Sequence, residues 1–505
     1  MKNFTRYTAA SLALVVAGAC TYDFPEEKQV TAGEADFTKT VVIGSSLSAG
    51  FMNGALYTDG QNASFPAIIA QQFKSVGGGD FNQPDINAAA GYYGLAPDGT
   101  TILGRLYLKG TTSPKPTPIV PGQAITPYTG DKSKLNNFSA YGVTIQTAQT
   151  PFLGGPSSGN PYYNPYYARF ASTPGTSTLL GDAVAAIGNG SFFIFWLGND
   201  DVLGYATNGA DQNDATKPMT DAAVFAGAYN NAISTMLAAN ASAKGVVANI
   251  PDVTSLPYFS TVAYNPIPLD AASAAAVNAG FAGYNAVLDA LKANLGITDT
   301  DSRKITFAAG TSNKIVIVDE TLNDYGDEFD MLKAAGAISD AQRTALIPYE
   351  QVRQTTSTDL VPLTAANVIG TLVSNNPQLI NGVTVPLADK YILLPSEKTE
   401  VQTRIDAFNS VIAGAVSTNS SRLALVDIHS ILLSLKANGA EIKGATISAS
   451  ISPPFGGFSL DGIHPNARGN GYLANQFIDV INAKFGASVP QCNPNDYSGN
   501  ALPVP

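Results

Sequence analysis

The sequence predicts an α/β fold with a mostly parallel sheet and helices on both of its faces. Short apolar runs typical of buried strands alternate with longer segments of helical periodicity. Alternation of this kind indicates parallel strands joined by helical connections. The predicted strands are residues 40–43, 192–197, 245–250, 315–318 and 423–427, and the predicted helices are residues 66–73, 222–238, 271–295, 404–416 and 471–485.

The composition favours an exported protein with a large core. Of the 505 residues 45% are hydrophobic, whereas only 13% are charged; about 25% is usual. The net charge of −11 repels phosphate backbones, so we expect no nucleic-acid partner.

The first residues resemble a bacterial lipoprotein signal. Lys2 and Arg6 precede an apolar run at 9–19, which is too short to span a bilayer and fits a signal-peptide core. Small residues then lead into Cys20. We therefore expect residues 1–19 to be a lipoprotein-type signal peptide, with Cys20 lipidated. The alternative is a plain secretory signal in which Cys20 is incidental.

The rest of the chain is predicted to form one domain with insertions. The polar segment 20–36 is expected to be a tether. The only other cysteine, Cys492, then has no partner, so no disulfide framework is expected. The predicted parts are a domain at 37–485, Gly/Pro-rich or aperiodic insertions near 77–130, 151–175 and 296–400, and a loose C-terminal tail at 486–505.

Two short motifs contain candidate catalytic groups. The first predicted strand ends in the segment GSSLSAG, residues 44–50, which is either an ordinary turn or a strand tip that presents a serine. Asp461 precedes His464 by three residues, so a short loop could bring the carboxylate onto one ring nitrogen, as a general base requires. The only other histidine, His429, lies in an apolar run and is expected to be structural.

Taken together, these motifs resemble those of the SGNH/GDSL hydrolases, and the chain is closest to large bacterial lipoprotein members of that family. The family's first block, G-D-S-L, is similar to Gly44 to Leu47, with Ser45 in place of Asp; its last block, D-x-x-H-P, matches Asp461 to Pro465. The resemblance implies a flavodoxin-like three-layer α/β/α sandwich. It also implies Ser46 as nucleophile, His464 as base and Asp461 as its orienting carboxylate.

The resemblance further implies an oxyanion hole formed by the backbone of Ser46, by Gly142 and by the asparagine of the family's third block. That block, G-x-N-D, is similar to Gly198 to Asp201, but without gaps its asparagine position is held by Asp200. Three alternatives stay open: Asp200 is protonated in a dry pocket and donates, a local shift presents Asn199 instead, or the enzyme is weakened.

The function implied by the resemblance is an esterase- or lipase-like serine hydrolase acting through an acyl-enzyme. Expected substrates are esters of lipids, phospholipids or acetylated glycans. No Cys/His set has zinc spacing, so no metal or cofactor is expected. Cys20 would anchor the protein to the outer membrane, facing the periplasm or the cell surface. The alternative is a non-catalytic surface lipoprotein that binds glycan or lipid on a hydrolase fold.

Overall fold

Five parallel strands form the centre of the computed structural model, which describes residues 30–112, 114–212 and 214–505. Their spatial order is β2-β1-β3-β4-β5, and all neighbours are parallel. This is the flavodoxin-like order, in which the winding direction switches between β1 and β3. The strands are β1 Thr40–Gly44, β2 Asn137–Ser139, β3 Phe192–Trp196, β4 Lys244–Ala248 and β5 Leu423–Val426.

Helices cover both faces of the sheet, which confirms the predicted α/β class. The principal helices are α1 Ser46–Ala49, α2 Phe65–Phe73, α3 Leu179–Ile187, α4 Asp200–Thr207, α5 Ala222–Ala239, α6 Ala271–Leu295, α7 Pro395–Thr418, α8 Ile428–Asn438 and α9 Ala467–Phe485. The shorter segments are Thr58–Asn62, Pro165–Ala168, Pro257–Ser260, Thr300–Arg303, Gly326–Ala334 and Asp340–Leu346. Among the described helices, none combines the length and apolar character needed to cross a bilayer.

Successive residues of each strand point to opposite faces of the sheet, so their side chains pack into two separate cores. On one face Val42 and Ile194 pack with side chains of α2 and α9. On the other face Val41 and Phe193 pack with α3, α5 and α7. Because both faces are covered, β1 and β3 are buried along their whole length, which explains why their sequences are continuous apolar runs.

A third core lies outside the sheet, and it corrects two sequence predictions. All its buried members fall between Ile267 and Leu394. Helix α6 belongs to it, because Phe281 and Leu288 pack there, so the insertion predicted at 296–400 begins earlier. The run predicted as a sheet strand at 315–318 forms Val316–Val318, which instead pairs antiparallel with Val352–Gln354. A short apolar run indicates burial but does not specify its strand partner.

The segments predicted as a tether and as a loose tail both contact the folded domain. The N–H of Glu34 donates to the carbonyl of Phe485 at 2.7 Å, so the last part of the predicted tether contacts the end of α9. The segment predicted as a loose tail also packs, because Val489 and Cys492 are buried and Val504 pairs with Lys109. The predicted signal peptide and Cys20 lie outside the described residues.

Candidate active site

The fold brings Ser46 and His464 together although 418 positions separate them. Nε2 of His464 lies 2.8 Å from Oγ of Ser46, and Nδ1 lies 3.0 Å from Oδ2 of Asp461. Ser46 and His464 are almost completely buried. The three side chains therefore form one continuous hydrogen-bonded chain, with the geometry of a nucleophile, a base and an orienting carboxylate.

Ser46 is positioned by a sharp strand-to-helix connection. Strand β1 ends at Gly44 and α1 begins at Ser46, so one residue makes the turn. A Cβ on Gly44 would lie 2.4 Å from Oγ of Ser48 and 3.0 Å from the carbonyl oxygen of Trp196. Glycine is thus required by close approach, and the turn leaves the Ser46 side chain at the carboxyl end of the sheet, beside the switch point.

His464 is held by a tight loop before α9. The N–H of Ser459 donates to the carbonyl of His464 at 2.7 Å, which closes the loop. Gly462 has a φ of +73°, and a Cβ there would lie 2.8 Å from the backbone nitrogen of Tyr258. Asn466 then begins α9, since its side chain accepts from the N–H of Gly469 as an N-cap does.

The Asp461 carboxylate is fully engaged by donors. Its Oδ1 accepts from the backbone N–H groups of Ile463 and His464, both at 2.9 Å. Burial alone would raise the pKa of Asp461, but the charge and hydrogen bonds of His464 and the Ile463 N–H lower it below the usual value. Asp461 therefore stays ionised and can stabilise an imidazolium at His464.

A turn directly after α1 fixes the loop that carries Asp461 and His464, which we call the catalytic loop for its candidate role, and the sequence analysis missed this turn. The N–H of Asn53 donates to Oγ of Ser459 at 2.9 Å, and Oδ1 of Asn53 accepts from the N–H of Leu460 at 3.0 Å. The N–H of Gly54 donates to Oδ2 of Asp461 at 2.8 Å. The signal was the Asn-Gly pair, which favours a positive φ; Asn53 has a φ of +54°.

Aromatic rings cover His464. The ring of Phe51 lies 5.0 Å from that of His464 and stacks on Tyr141 at 4.5 Å. Tyr166, from the second insertion, meets the edge of Tyr141 at 5.9 Å. Tyr93, from the first insertion, packs against Gly54. Both insertions therefore contribute to the surroundings of the site.

Several unused donors lie on the elements around Ser46. The backbone N–H groups of Ser46 and Gly142 make no hydrogen bond to another described residue. Gly142 follows β2 in an exposed turn with a φ of +71°. Asn199 is 3% exposed, and neither atom of its amide group has a hydrogen-bond partner. Asn199 and Ser46 line the same cavity.

The two aspartates after Asn199 have different surroundings. Asp201 is buried and structural, because its carboxylate accepts from the N–H of Ile145 and the hydroxyl of Thr220, both at 2.8 Å. Asp200 has a buried Oδ2 without a hydrogen-bond partner. Burial raises the pKa of Asp200 to about 6, against the opposing effects of His464, Ser45 and Lys217.

Other candidate groups lie apart from this chain of hydrogen bonds. His429 is half-buried on α8, where its backbone N–H donates to Oδ1 of Asn249 and its ring Nδ1 has no hydrogen-bond partner. Among the described residues, one cluster of three carboxylates has metal-ligand spacing. The carboxylate oxygens of Glu320, Asp389 and Glu397 lie within 4.8 Å of one another. None of these residues belongs to the Ser46–His464–Asp461 chain.

Comparisons with protein-family models, with curated proteins and with solved structures find nothing that matches this chain.

Proposed function

We propose that the protein is a serine ester hydrolase of the SGNH/GDSL type. The observation that carries the proposal is the hydrogen-bonded chain from Ser46 through His464 to Asp461, at the carboxyl end of a flavodoxin-like sheet. The early serine block and the late D-x-x-H-P block support the same family. The lipoprotein-like start of the sequence supports an exported protein that is anchored to the outer membrane through Cys20.

The proposed reaction has two stages. Oγ of Ser46 attacks the ester carbonyl carbon while Nε2 of His464 takes its proton, and Asp461 stabilises the resulting imidazolium. The carbon–oxygen bond to the alcohol then breaks, and the alcohol leaves with the proton from His464. Water, deprotonated by His464, attacks the acyl carbon, and the acid leaves as Ser46 recovers its proton.

For the oxyanion we assign Asn199, rather than Asp200, as the side-chain donor. An amide group can donate at any pH, and this one is buried without a partner beside Ser46. Leaving a buried polar group unpaired costs about 1–3 kcal/mol, which favours a role with a ligand. An ionised Asp200 could only accept a hydrogen bond, and its charge would oppose the oxyanion.

The test is the loss of reactivity on removing one hydroxyl. We expect Ser46→Ala to abolish hydrolysis of p-nitrophenyl butyrate and labelling by a fluorophosphonate probe. The matched control is Ser48→Ala, because Ser48 is a buried serine on the same short helix and has no hydrogen bond to His464. This control should retain activity and labelling. Unchanged hydrolysis by Ser46→Ala would disprove the assignment.

A second candidate function is a non-catalytic lipoprotein that binds glycan or lipid. Asp200 favours it, because a carboxyl group beside the candidate oxyanion hole opposes turnover. The two functions differ in the reactivity of Ser46. A folded wild-type protein that the fluorophosphonate probe does not label would favour the binder.

A further inference from the structure

An apolar cavity of about 80 Å³ opens beside the nucleophile. It lies on the β4–β5 side of Ser46, where the ends of β3, β4 and β5 meet α8 and the start of α9. Ser46 and Asn199 line it, together with Ile431, Leu432 and Leu435 of α8. Ser46 thus lines the cavity, whereas Phe51, Tyr141 and Tyr166 of the aromatic cover over His464 do not.

Among the lining residues, the polar side chains are those of Ser46, Trp196, Asn199 and Tyr472. Leu256, Ile447 and Phe458 continue the apolar wall. The indole N–H of Trp196 also reaches this region, but it already donates to the carbonyl of Asn249 at 3.0 Å. The Ser46 hydroxyl is hydrogen-bonded to His464, and the amide of Asn199 is buried without a partner. A ligand that fits has one polar end at Ser46 and an apolar remainder.

We infer that this cavity receives the hydrocarbon chain of the acyl group, and that the substrate is an ester of a short alkyl carboxylic acid; this inference rests on the proposed function. An ester carbonyl at Ser46 would accept from Asn199, and its alkyl chain would fill the apolar space. An apolar cavity of about 150 Å³ can hold a benzene ring. A cavity of about half that size suits a butyryl chain, whereas an acetyl group would leave most of it empty.

The first test is an acyl-chain series with a variant that fills the cavity. We expect the kcat/KM of the wild type to rise about 15-fold from p-nitrophenyl acetate to butyrate, since each of the two added methylenes contributes roughly a factor of four when buried. It should level off by the hexanoate. Ile431→Trp, at a half-buried lining position on α8, should remove this preference, so that the ratio of kcat/KM for butyrate to that for acetate falls to about one.

The matched control is Leu433→Trp, because Leu433 is on the same helix, is 39% exposed and does not line the cavity. This control should keep the wild-type chain-length profile. A wild type that prefers acetate, or a preference for butyrate that survives Ile431→Trp, would overturn the inference. If the wild type prefers dodecanoate and Ile431→Trp removes that preference, the acyl chain binds in this cavity, but the inference of a short chain is wrong.

A second test separates this inference from the proposed function. Ser46→Ala cannot turn over an ester by the proposed route, but its cavity should still bind alkyl acids. We expect butyrate to raise the melting temperature of Ser46→Ala more than acetate at equal concentration, and Ile431→Trp in the same background to abolish the difference. If this difference in melting temperature is found but the wild type hydrolyses no ester, the cavity assignment stands and the proposed hydrolase function is wrong. Equal effects of the two acids would overturn the cavity assignment.

Discussion

Two neighbouring side chains at the end of β3 differ in what they can offer an oxyanion. Asn199 is buried and has an amide group without a partner. Asp200 titrates near neutral pH, because burial raises its pKa to about 6. Below that pH the acid is mostly neutral, and above it the carboxylate is mostly charged. Any repulsion of the oxyanion by Asp200 should therefore grow as the pH rises through about 6.

At the residue scale we expect Asp200→Asn to raise kcat by a pH-dependent factor. The ratio of the kcat of the variant to that of the wild type should be close to one at pH 5 and several-fold at pH 8. Only the wild type has a side chain at position 200 that becomes charged in that interval. Steady-state rates with p-nitrophenyl butyrate at both pH values provide the measurement. A large loss of activity in Asp200→Asn would show that the acid itself is needed.

The companion substitution at the residue scale is Asn199→Ala. We expect its kcat to fall about 10²–10³-fold, the usual effect of removing one oxyanion donor. The KM should change little, because the oxyanion develops only in the transition state. Equal effects of Asn199→Ala and Asp200→Asn would contradict the different roles that we assign to the two side chains.

At the scale of elements, two loops that are far apart in sequence form the site together. The turn after α1 binds the catalytic loop through Asn53 and Gly54, which join it to Ser459, Leu460 and Asp461. Oδ1 of Asn53 supplies one of these bonds. Loss of this hydrogen bond should make the positions of Asp461 and His464 less fixed without removing either side chain, so Asn53 is a positioning residue.

We expect Asn53→Gly to lower kcat about tenfold, because a small misplacement of the base slows proton transfer. Glycine tolerates the φ of +54° at this position, so backbone strain does not confuse the result. Asn87→Gly is the control, since Asn87 has a φ of +53° in an exposed loop away from the site. A rise in KM with unchanged kcat would contradict a positioning role.

At the scale of the whole molecule, the large insertion meets the domain that holds the central sheet through acidic groups. Glu397 is on α7, whereas Glu320 and Asp389 belong to the insertion. Burial, with Glu320 and Asp389 nearby, raises the pKa of Glu397 well above its ordinary value. Burial and neighbouring acids raise the pKa of Asp389 to about 7. The folded protein therefore binds protons here that the unfolded chain releases above about pH 4.5.

A folded-state pKa above the unfolded value stabilises the protein at low pH and loses that effect as the pH rises. We expect the free energy of unfolding to fall between pH 5 and pH 8, by at most about 1.4 kcal/mol per pH unit for one proton. Glu397→Gln should flatten this dependence in urea titrations. Glu441→Gln, at an exposed hairpin position, should retain it. Equal slopes in all three proteins would disprove the linkage.

The sequence by itself determined the α/β class, four of the five central strands and the candidate residues of the catalytic chain. Those features depend on local signals: continuous apolar runs for strands buried on both faces, glycine and serine at a strand end, and an aspartate three residues before a histidine. The tertiary structure alone decided that Ser46 meets His464, that α6 packs in a separate core and that Asn53 binds the catalytic loop. Apolar periodicity shows that a surface is buried but does not identify its partner, and contacts across more than 400 residues leave no local pattern in the chain.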